Sequence, residues 1–325
     1  MLQIDKNTFF NITHTFAFVP FTQSKGWWAY HSTKDENRFT FFVDCIEKPA
    51  IACMGHIKKS FGLKMLQIDG ECLVDEQNID CKKIKEFYKK ITQTNYDMVE
   101  INSSLSYNAL YEIGIRQAGY LRPVGMFSTP LSILIDLQKP REYDKNWKQN
   151  LKKAAKYQLE FSHISQVTEN DVEDYCVMNK EMTSRKRIAG ELSTEALTAL
   201  FSDEHFELFF VENEAKERIA GEITYSRNNI STSIYAVNSP EGRKKATAYF
   251  RYNKIYDYYK KQGYQFFDCG RISPAVHKKN DVFLFKNGVK GDYLLYCGEW
   301  SWYKKQIYRP LMYFVKKYLF KRVEV

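Results

Sequence analysis

Residues 206–236 read FELFFVENEAKERIAGEITYSRNNISTSIYA, and this stretch decides the fold. Its apolar and β-branched residues fall into three runs, 206–212, 219–226 and 231–236, separated by polar residues. Runs of this length and composition are typical of strands. Arg227-Asn228-Asn229 predicts a tight turn between the second and third runs. The spacing therefore predicts three consecutive antiparallel strands.

A long helix over about 245–262 and a strand over 264–268 follow these three runs in the sequence. Three antiparallel strands, a helix and a further strand are the layout of GNAT acyltransferases, by analogy of fold alone. The first half has a similar rhythm of strand and helix patterns, which ends near 138–144 at Pro140 and a group of charged residues. We therefore predict two mixed α+β modules.

Length and charge limit the functions that the chain can have. It has 325 residues, enough for about two domains of roughly 150 residues each. The net charge is +9 at pH 7, which favours anionic partners such as phosphate-bearing molecules. The seven cysteines have no C-x-x-C spacing, and no apolar run approaches the ~20 residues of a membrane span. We expect reduced thiols, no metal site and a cytoplasmic protein.

Lys286 ends the apolar run Val282–Phe285 and precedes a turn with two glycines. This pattern predicts a strand that ends on a lysine, with Val282, Leu284 and Lys286 on one face. One interpretation is a cation that stabilises a developing oxyanion, and another is a partner for a substrate phosphate. The structural alternative is a salt bridge to Asp268 or Asp292.

Four stretches together resemble the FemABX peptidyltransferases. They are FTQSKGWWAY (21–30), WKQNLKKAAKYQLEF (147–161), ELFFVENEAKERIAGEITY (207–225), and GYQFFDCGRISP with VFLFKNGVKGD (263–274 and 282–292). The resemblance covers nearly the whole chain. It implies an α+β protein of two tandem GNAT-like domains, 1–140 and 141–302, with mixed central sheets flanked by helices. It also implies that the tail 303–325 packs back on the first domain.

The resemblance implies an acyl- or aminoacyltransferase that forms an amide on a cell-envelope acceptor similar to a peptidoglycan precursor. The acceptor amine attacks an activated carbonyl directly, and the donor is aminoacyl-tRNA, so no cofactor is needed. Two alternatives stay open: an acyl-CoA-dependent N- or O-acyltransferase of an amino sugar or polysaccharide precursor, and a non-catalytic binding protein. CoA is disfavoured, because residues 237–246 keep a single glycine, Gly242, beside Glu241.

The resemblance also implies the site residues. Lys286 is the catalytic candidate. The substrate-binding candidates are Gln23, Trp28, Lys34, Arg38, Tyr235, Asn238, Asp268 and Arg271. Candidates for binding tRNA or another anion are Lys148, Lys152, Lys156, Arg243 and Lys244. For the lysines the alternative is a solvated helix face.

The tail 303–325 combines lysines and arginines with aromatic residues. Its apolar residues at helical spacing predict a face that packs on the first domain, namely Ile307, Leu311, Phe314, Val315 and Tyr318. Tyr313 and Phe320 fall among the basic residues on the opposite side. Aromatic and basic residues together favour a membrane interface, so we expect peripheral contact at the inner face of the membrane.

Overall fold

The computed structural model describes residues 1–60, 62–125, 129–186, 192–273 and 281–319. The chain divides into two compact units. The first contains Met1–Leu131 and the chain from Leu295 onward, and the second contains Ser132–Leu294. Among the described residues, none of the helices combines the length and the apolar character that a membrane crossing requires.

Strands and helices alternate along the chain. The first part contains β1 (Leu2–Ile4), α1 (Lys6–Thr13), α2 (Lys25–Ser32), β2 (Phe39–Val43), β3 (Ile51–Ser60), β4 (Leu63–Ile68), β5 (Cys72–Leu73), α3 (Cys81–Thr92), β6 (Met98–Ser106) and α4 (Ala109–Gln117). The middle part contains β7 (Leu131–Asp136), α5 (Lys145–Ala154), β8 (Glu160–Ile164), α6 (Glu169–Lys186), α7 (Thr194–Leu200), β9 (Phe206–Glu212), β10 (Arg218–Arg227), β11 (Ile230–Asn238), α8 (Pro240–Lys244), α9 (Thr247–Lys261), β12 (Phe266–Asp268) and α10 (Asp281–Asn287). The last part contains β13 (Asp292–Tyr303), α11 (Tyr308–Phe314) and a π-helical segment, Val315–Leu319.

The sheet of the first unit has the strand order β1-β2-β3-β4-β6-β13, with β5 beside β3. Strands β1 to β4 pair antiparallel, whereas β4 and β6 pair parallel. A parallel pair needs a crossover connection, and α3 supplies it. The helix packs on the sheet through buried residues at i, i+3, i+4 and i+7 spacing, Ile84, Phe87, Tyr88 and Ile91.

The sheet of the second unit has the strand order β7-β12-β11-β10-β9-β8. Strands β8 to β11 pair antiparallel, and β11 pairs parallel with β12 across the connection made by α8 and α9. The three strands predicted from 206–236 are confirmed as β9, β10 and β11. Each unit is thus a mixed sheet flanked by helices, and each has an antiparallel run followed by a helical crossover to a parallel strand.

The boundaries of the units differ from 140 and 302, the values that the sequence predicts. Strand β7 pairs antiparallel with β12, with Ile135 opposite Phe267, so the residues before Pro140 already belong to the second unit. Strand β13 pairs with β6 from Tyr296 onward, within the first unit. The sequence analysis identified no strand over 292–303, and for this reason it ended the second module too late.

The prediction of a strand over Val282–Phe285 is wrong, because these residues form helix α10. Phe285 holds the helix in place, since its ring lies 5.0 Å from the ring of Trp147 and 5.0 Å from that of Tyr249, between centroids. The indole Nε1 of Trp147 also donates a hydrogen bond to the Phe285 carbonyl at 2.6 Å. Aromatic packing of Phe285 therefore stabilises the helix. The predicted strand face shared by Val282, Leu284 and Lys286 does not form.

The tail helix faces the opposite way from the prediction. Ile307, Leu311, Phe314 and Tyr318 are exposed, although the sequence pattern assigned them to the buried face. Met312 is buried instead, in a cluster with Leu63, Met65 and Met98. Val315 is buried as predicted, and Phe320 lies outside the described residues.

A buried ion pair lies in the core of the second unit. Glu222 on β10 and Arg251 on α9 are 0% and 1% exposed, and the guanidinium Nε lies 2.8 Å from the carboxylate Oε2. Ser233 on β11 donates a hydrogen bond to the other oxygen of Glu222. Arg251 also donates to the Val237 carbonyl at 2.9 Å. The pair therefore ties β10, β11 and α9 together.

Removing one partner of this pair should destabilise the protein strongly. We expect Glu222→Leu or Arg251→Met alone to lower the free energy of unfolding by about 3–5 kcal/mol, because the remaining charge is buried without compensation. The double variant should lose less than either single variant, because two apolar side chains replace two charges. Urea unfolding followed by tryptophan fluorescence measures this, and additive losses in the double variant would contradict it.

Candidate functional site

In the second unit β12 ends at Asp268, whereas its parallel partner β11 continues. β11 pairs with β12 over Ile230–Thr232, and then continues beside β10 as far as Asn238. The register of β10 and β11 shifts at Ile234, which changes the alternation of β11 side chains beyond the last residue paired with β12. After β12 the chain turns at Gly270, whose φ of +76° favours glycine. A Cβ there would lie 2.8 Å from the Ser233 carbonyl oxygen, so the close approach also requires glycine.

The Lys286 ammonium lies at this turn. It donates hydrogen bonds to the carbonyls of Gly270 at 3.2 Å and Arg271 at 3.3 Å. Within the described residues these two carbonyls are its partners, so the predicted alternative of a salt bridge to Asp268 or Asp292 does not form. An ammonium has three N–H donors. Two of these N–H groups donate to the carbonyls of Gly270 and Arg271, and the third can donate to an oxygen of a bound molecule.

The two aspartates considered as partners of Lys286 have other contacts. Asp268 is 5% exposed and accepts hydrogen bonds from the Ser132 hydroxyl and, at 2.8 Å, from the Gly270 amide. Asp292 lies 3.7 Å from the Lys139 ammonium. Asp268 thus fixes the turn that carries the two carbonyls, which is a positioning contact and not one to substrate.

The positive charge of Lys286 affects the pKa values of two buried groups, Glu222 and Cys269. Burial raises the pKa of Glu222, and the charges of Arg251 and Lys286 oppose that rise. Burial also raises the pKa of Cys269 to about 12, with Lys286 again opposing. A thiol with so high a pKa is protonated near neutral pH and is a poor nucleophile. The turn after β12 therefore holds a cation suited to charge stabilisation, and Cys269 does not fit covalent catalysis.

A second candidate lies in the first unit, where a cleft of about 700 Å³ is lined by Asp35, Asn37, Arg38, His56, Ile57, Lys58 and Lys59. Arg38 and the two lysines carry three positive charges, against the single carboxylate of Asp35, which pairs with Arg38 at 2.8 Å. The His56 ring stacks on Phe39, with centroids 5.1 Å apart. The excess of positive charge suits an anionic ligand.

Burial lowers the pKa of His56, and the nearby charges of Lys58 and Arg38 lower it further. The ring is therefore mainly neutral at pH 7. This shift reflects the positive potential of the cleft, and a neutral imidazole can either donate or accept a hydrogen bond there.

Of the four N-terminal candidates, the cleft contains one, Arg38. Gln23 is 1% exposed, and its amide bonds to the Met54 main chain and to the Asp69 carbonyl, so it joins chain segments within the core. Trp28 packs near Phe10 with the Lys6 ammonium 4.0 Å from its ring centroid. Gln23 and Trp28 are therefore structural, and Lys34 is exposed outside the cleft lining.

The candidates on β11 and after β12 also differ in role: one makes structural contacts, and another contacts Lys286. Asn238 accepts hydrogen bonds from Thr247 at 3.0 Å and from Arg251 at 3.2 Å, so it supports the start of α9. Tyr235 follows the register shift on β11. Arg271 contributes its carbonyl to Lys286. The structure thus brings Arg271 and Lys286 together and gives Asn238 a structural role.

The start of α8 is poorly suited to a pyrophosphate. Its Gly242 amide bonds to the Ser239 hydroxyl at 3.0 Å, so the first turn is already capped. The Glu241 carboxylate lies in the same turn and pairs with Lys245 at 2.8 Å. Gly242 itself serves packing, because a Cβ there would lie 2.3 Å from the Ile219 carbonyl oxygen. The first turn of α8 is thus occupied by contacts within the chain.

The lysine candidates of the second unit are exposed. Lys148 and Lys152 lie one turn apart on α5, away from the buried side that carries Trp147 and Ala154. Lys156 is exposed but follows the end of α5 at Ala154. Arg243 and Lys244 are exposed in the last turn of α8.

The sequence analysis missed four residues that shape the two candidate sites: Glu222, Arg251, Ser233 and Lys58. Glu222 gave a signal, because it is an acidic residue inside the apolar run 219–226. Its partner Arg251 lies within a predicted helix and gave none. Lys58 lies near the end of β3 and gave no signal in the sequence.

Solved structures similar to this one include FemX, with a TM-score of 0.75 and 11% identity over 96% of this chain and 100% of the FemX chain. L-PGS from Bacillus licheniformis has a TM-score of 0.61 and 14% identity, covering 93% of this chain and 98% of its own. The C-terminal domain of a putative lysylphosphatidylglycerol synthetase from Agrobacterium fabrum has a TM-score of 0.60 and 12% identity, with 90% and 98% covered.

No model of a protein family matches the sequence, and no curated protein matches it. Identities between 11% and 14% make the similarity one of fold. The likeness nevertheless extends over nearly the full length of both chains, and each unit has the mixed sheet and flanking helices that the sequence predicts. The chain therefore has the tandem GNAT-like fold of FemX, in agreement with the FemABX-like resemblance.

Proposed function

We propose that the protein transfers an aminoacyl group from aminoacyl-tRNA to an amine of a cell-envelope precursor. The observation that carries this proposal is the Lys286 ammonium at the turn after β12, oriented by two main-chain carbonyls. The similar structures support it, because the name lysylphosphatidylglycerol synthetase denotes an aminoacyl group joined to a phospholipid of the envelope. The resemblance to FemABX enzymes adds a peptidoglycan-like acceptor.

In the proposed reaction the acceptor amine attacks the ester carbonyl of the donor. The new C–N bond forms as the carbonyl oxygen gains negative charge, and Lys286 donates its third N–H to that oxygen. The C–O bond to the tRNA ribose then breaks, and the proton lost by the amine passes to the released ribose hydroxyl. The products are an amide and a free tRNA, so the atoms balance without a covalent enzyme intermediate.

The cationic cleft of the first unit is the proposed site for phosphates of the acceptor. Arg38, Lys58 and Lys59 supply the charges that a diphosphate would neutralise. The exposed lysines on α5 and the basic last turn of α8 are proposed to contact tRNA phosphates. These roles rest on charge and exposure together with the FemABX resemblance.

An acyl-CoA-dependent enzyme is the competing function, and a non-catalytic binding protein is the third. The capped start of α8 and the carboxylate of Glu241 weigh against CoA. The ordered contacts of Lys286 favour catalysis over binding alone, because two hydrogen bonds leave its ammonium little freedom.

A donor assay tests the proposed function directly. We expect purified protein to transfer radiolabelled amino acids from a mixture of charged tRNAs to a nucleotide-linked peptidoglycan precursor, and to transfer no acetyl group from acetyl-CoA. Calorimetry should give no acetyl-CoA binding below millimolar concentration, because the start of α8 lacks a free phosphate cradle. Acetyl transfer with micromolar binding would establish the CoA enzyme, and binding of both substrates without turnover would establish the binding protein.

Lys286→Met should lower kcat by about 10²–10³, the usual cost of losing one oxyanion donor. KM should change little, because the interaction forms only in the transition state. Steady-state kinetics with varied acceptor concentration separates the two constants. Lys290→Met is the matched control, since Lys290 lies four residues away, is 52% exposed and pairs loosely with Glu142 at 3.9 Å. A change confined to KM would reassign Lys286 to substrate binding, and unchanged kinetics would remove it from the mechanism.

Arg38→Ala with Lys58→Ala should raise KM for the phosphate-bearing acceptor about tenfold, since two exposed ion pairs contribute up to about 1 kcal/mol each. The value of kcat should stay within about twofold. Lys48→Ala with Lys82→Ala removes two exposed charges outside the cleft lining and should leave both constants unchanged. An equal effect of the two double variants on KM would mean that net charge matters and the cleft does not.

A further inference from the structure

An exposed apolar row runs along the outer side of α11 and the π-helical segment that follows it. The row consists of Ile307, Leu311, Phe314 and Tyr318, which are 66%, 42%, 58% and 56% exposed. Their spacing of three or four residues puts them on one side of the helix. The rings of Phe314 and Tyr318 are in contact, with centroids 4.5 Å apart.

The inner side of the same segment is firmly held. Met312 and Val315 are 5% and 4% exposed. Lys316 is 1% exposed, and its ammonium donates to Glu100 at 3.2 Å and to the Gly125 carbonyl at 3.3 Å. The exposure of the outer row is therefore fixed by contacts on the opposite side of the helix.

Basic residues outnumber acidic ones around the row in the sequence. Residues 300–319 contain five cations, Lys304, Lys305, Arg309, Lys316 and Lys317, and no aspartate or glutamate. Lys316 is buried, whereas Lys304 and Lys305 are exposed at the start of the row. The Lys317 ammonium lies 5.6 Å from the centroid of the Tyr318 ring.

We propose that this row docks on the surface of an anionic membrane. An amphipathic helix binds in the interfacial plane when apolar and aromatic side chains enter the boundary and lysines meet anionic headgroups. Phe314 and Tyr318 supply the aromatic pair, and Lys304, Lys305 and Lys317 supply the charges. The proposal does not depend on the proposed reaction.

A second copy of the chain fits this row less well. A stable protein interface takes about 800 Å² from each partner and about 20–30 residues. The row offers four side chains, and a second copy would bring the same cations against these ones. Charge complementarity therefore favours lipid phosphates.

Vesicle sedimentation tests the proposal with the full chain. In ~50 mM salt we expect binding to vesicles that contain about 30% phosphatidylglycerol, and much weaker binding to pure phosphatidylcholine. Phe314→Ser with Tyr318→Ser should weaken binding about tenfold or more, because half-exposed rings lose their apolar contact. Lys304→Gln with Lys305→Gln should weaken it about fivefold for each cation removed.

The control variant is Leu110→Ser with Ile113→Ser, which removes two residues of α4 that are 48% and 45% exposed in the same unit. Its vesicle binding should equal that of the wild type. Equal losses in the control and in the Phe314/Tyr318 variant would overturn the proposal, as would equal binding to both kinds of vesicle. A dimer in sedimentation velocity that the Phe314/Tyr318 variant dissociates, with vesicle binding unchanged, would assign the row to a second copy instead.

Discussion

The second unit depends on the contact between Glu222 and Arg251. Burying either charge alone would be energetically unfavourable, because the charge would lose its hydration without gaining a partner. The two charges are therefore buried together, and hydrogen bonds to their other polar atoms add to the pairing. Ser233 donates to the other oxygen of Glu222, and Arg251 donates to the Val237 carbonyl; both of these residues lie on β11. The ion pair consequently sets where β11 lies against β10 and α9. The turn at Gly270 packs closely against the Ser233 carbonyl of β11, and Lys286 binds to that turn, so both are positioned by the path of β11.

Much of the fold follows from periodicity in the sequence. Periodicity predicts the helix α3 and the strands 206–212, 219–226 and 231–236. In each of these elements, apolar residues recur with the period that puts them on one side. The helix α10 was not predictable in this way, since Val282–Phe285 is a short apolar run that fits either structure. Tertiary contacts decide it: Phe285 needs the rings of Trp147 and Tyr249, which lie more than thirty residues away in sequence.

The same limit applies to the sites. Lys286 was predictable as a cation in an unusual context and Arg38 from the FemABX resemblance, but the carbonyls that bind Lys286 and the lysines that line the cleft with Arg38 come from other elements. Lys58 is one of several lysines, and only the pairing of β3 with its neighbours shows that it faces the cleft. In the tail, five apolar residues share a helical stripe, and hydrophobicity alone cannot say which edge is buried. Met312 decides it through contact with Met65 and Met98.

The late position of β13 has a consequence for synthesis of the chain. Its Trp300 is 1% exposed in the core of the first unit, yet it is made after the whole second unit. At about 5–20 residues per second, β6 must wait roughly ten seconds or longer for this partner strand. During translation the edge of β6 is thus open to wrong pairing, while the second unit, contiguous in sequence, can already fold. The order of folding is therefore expected to run against the order of the gene.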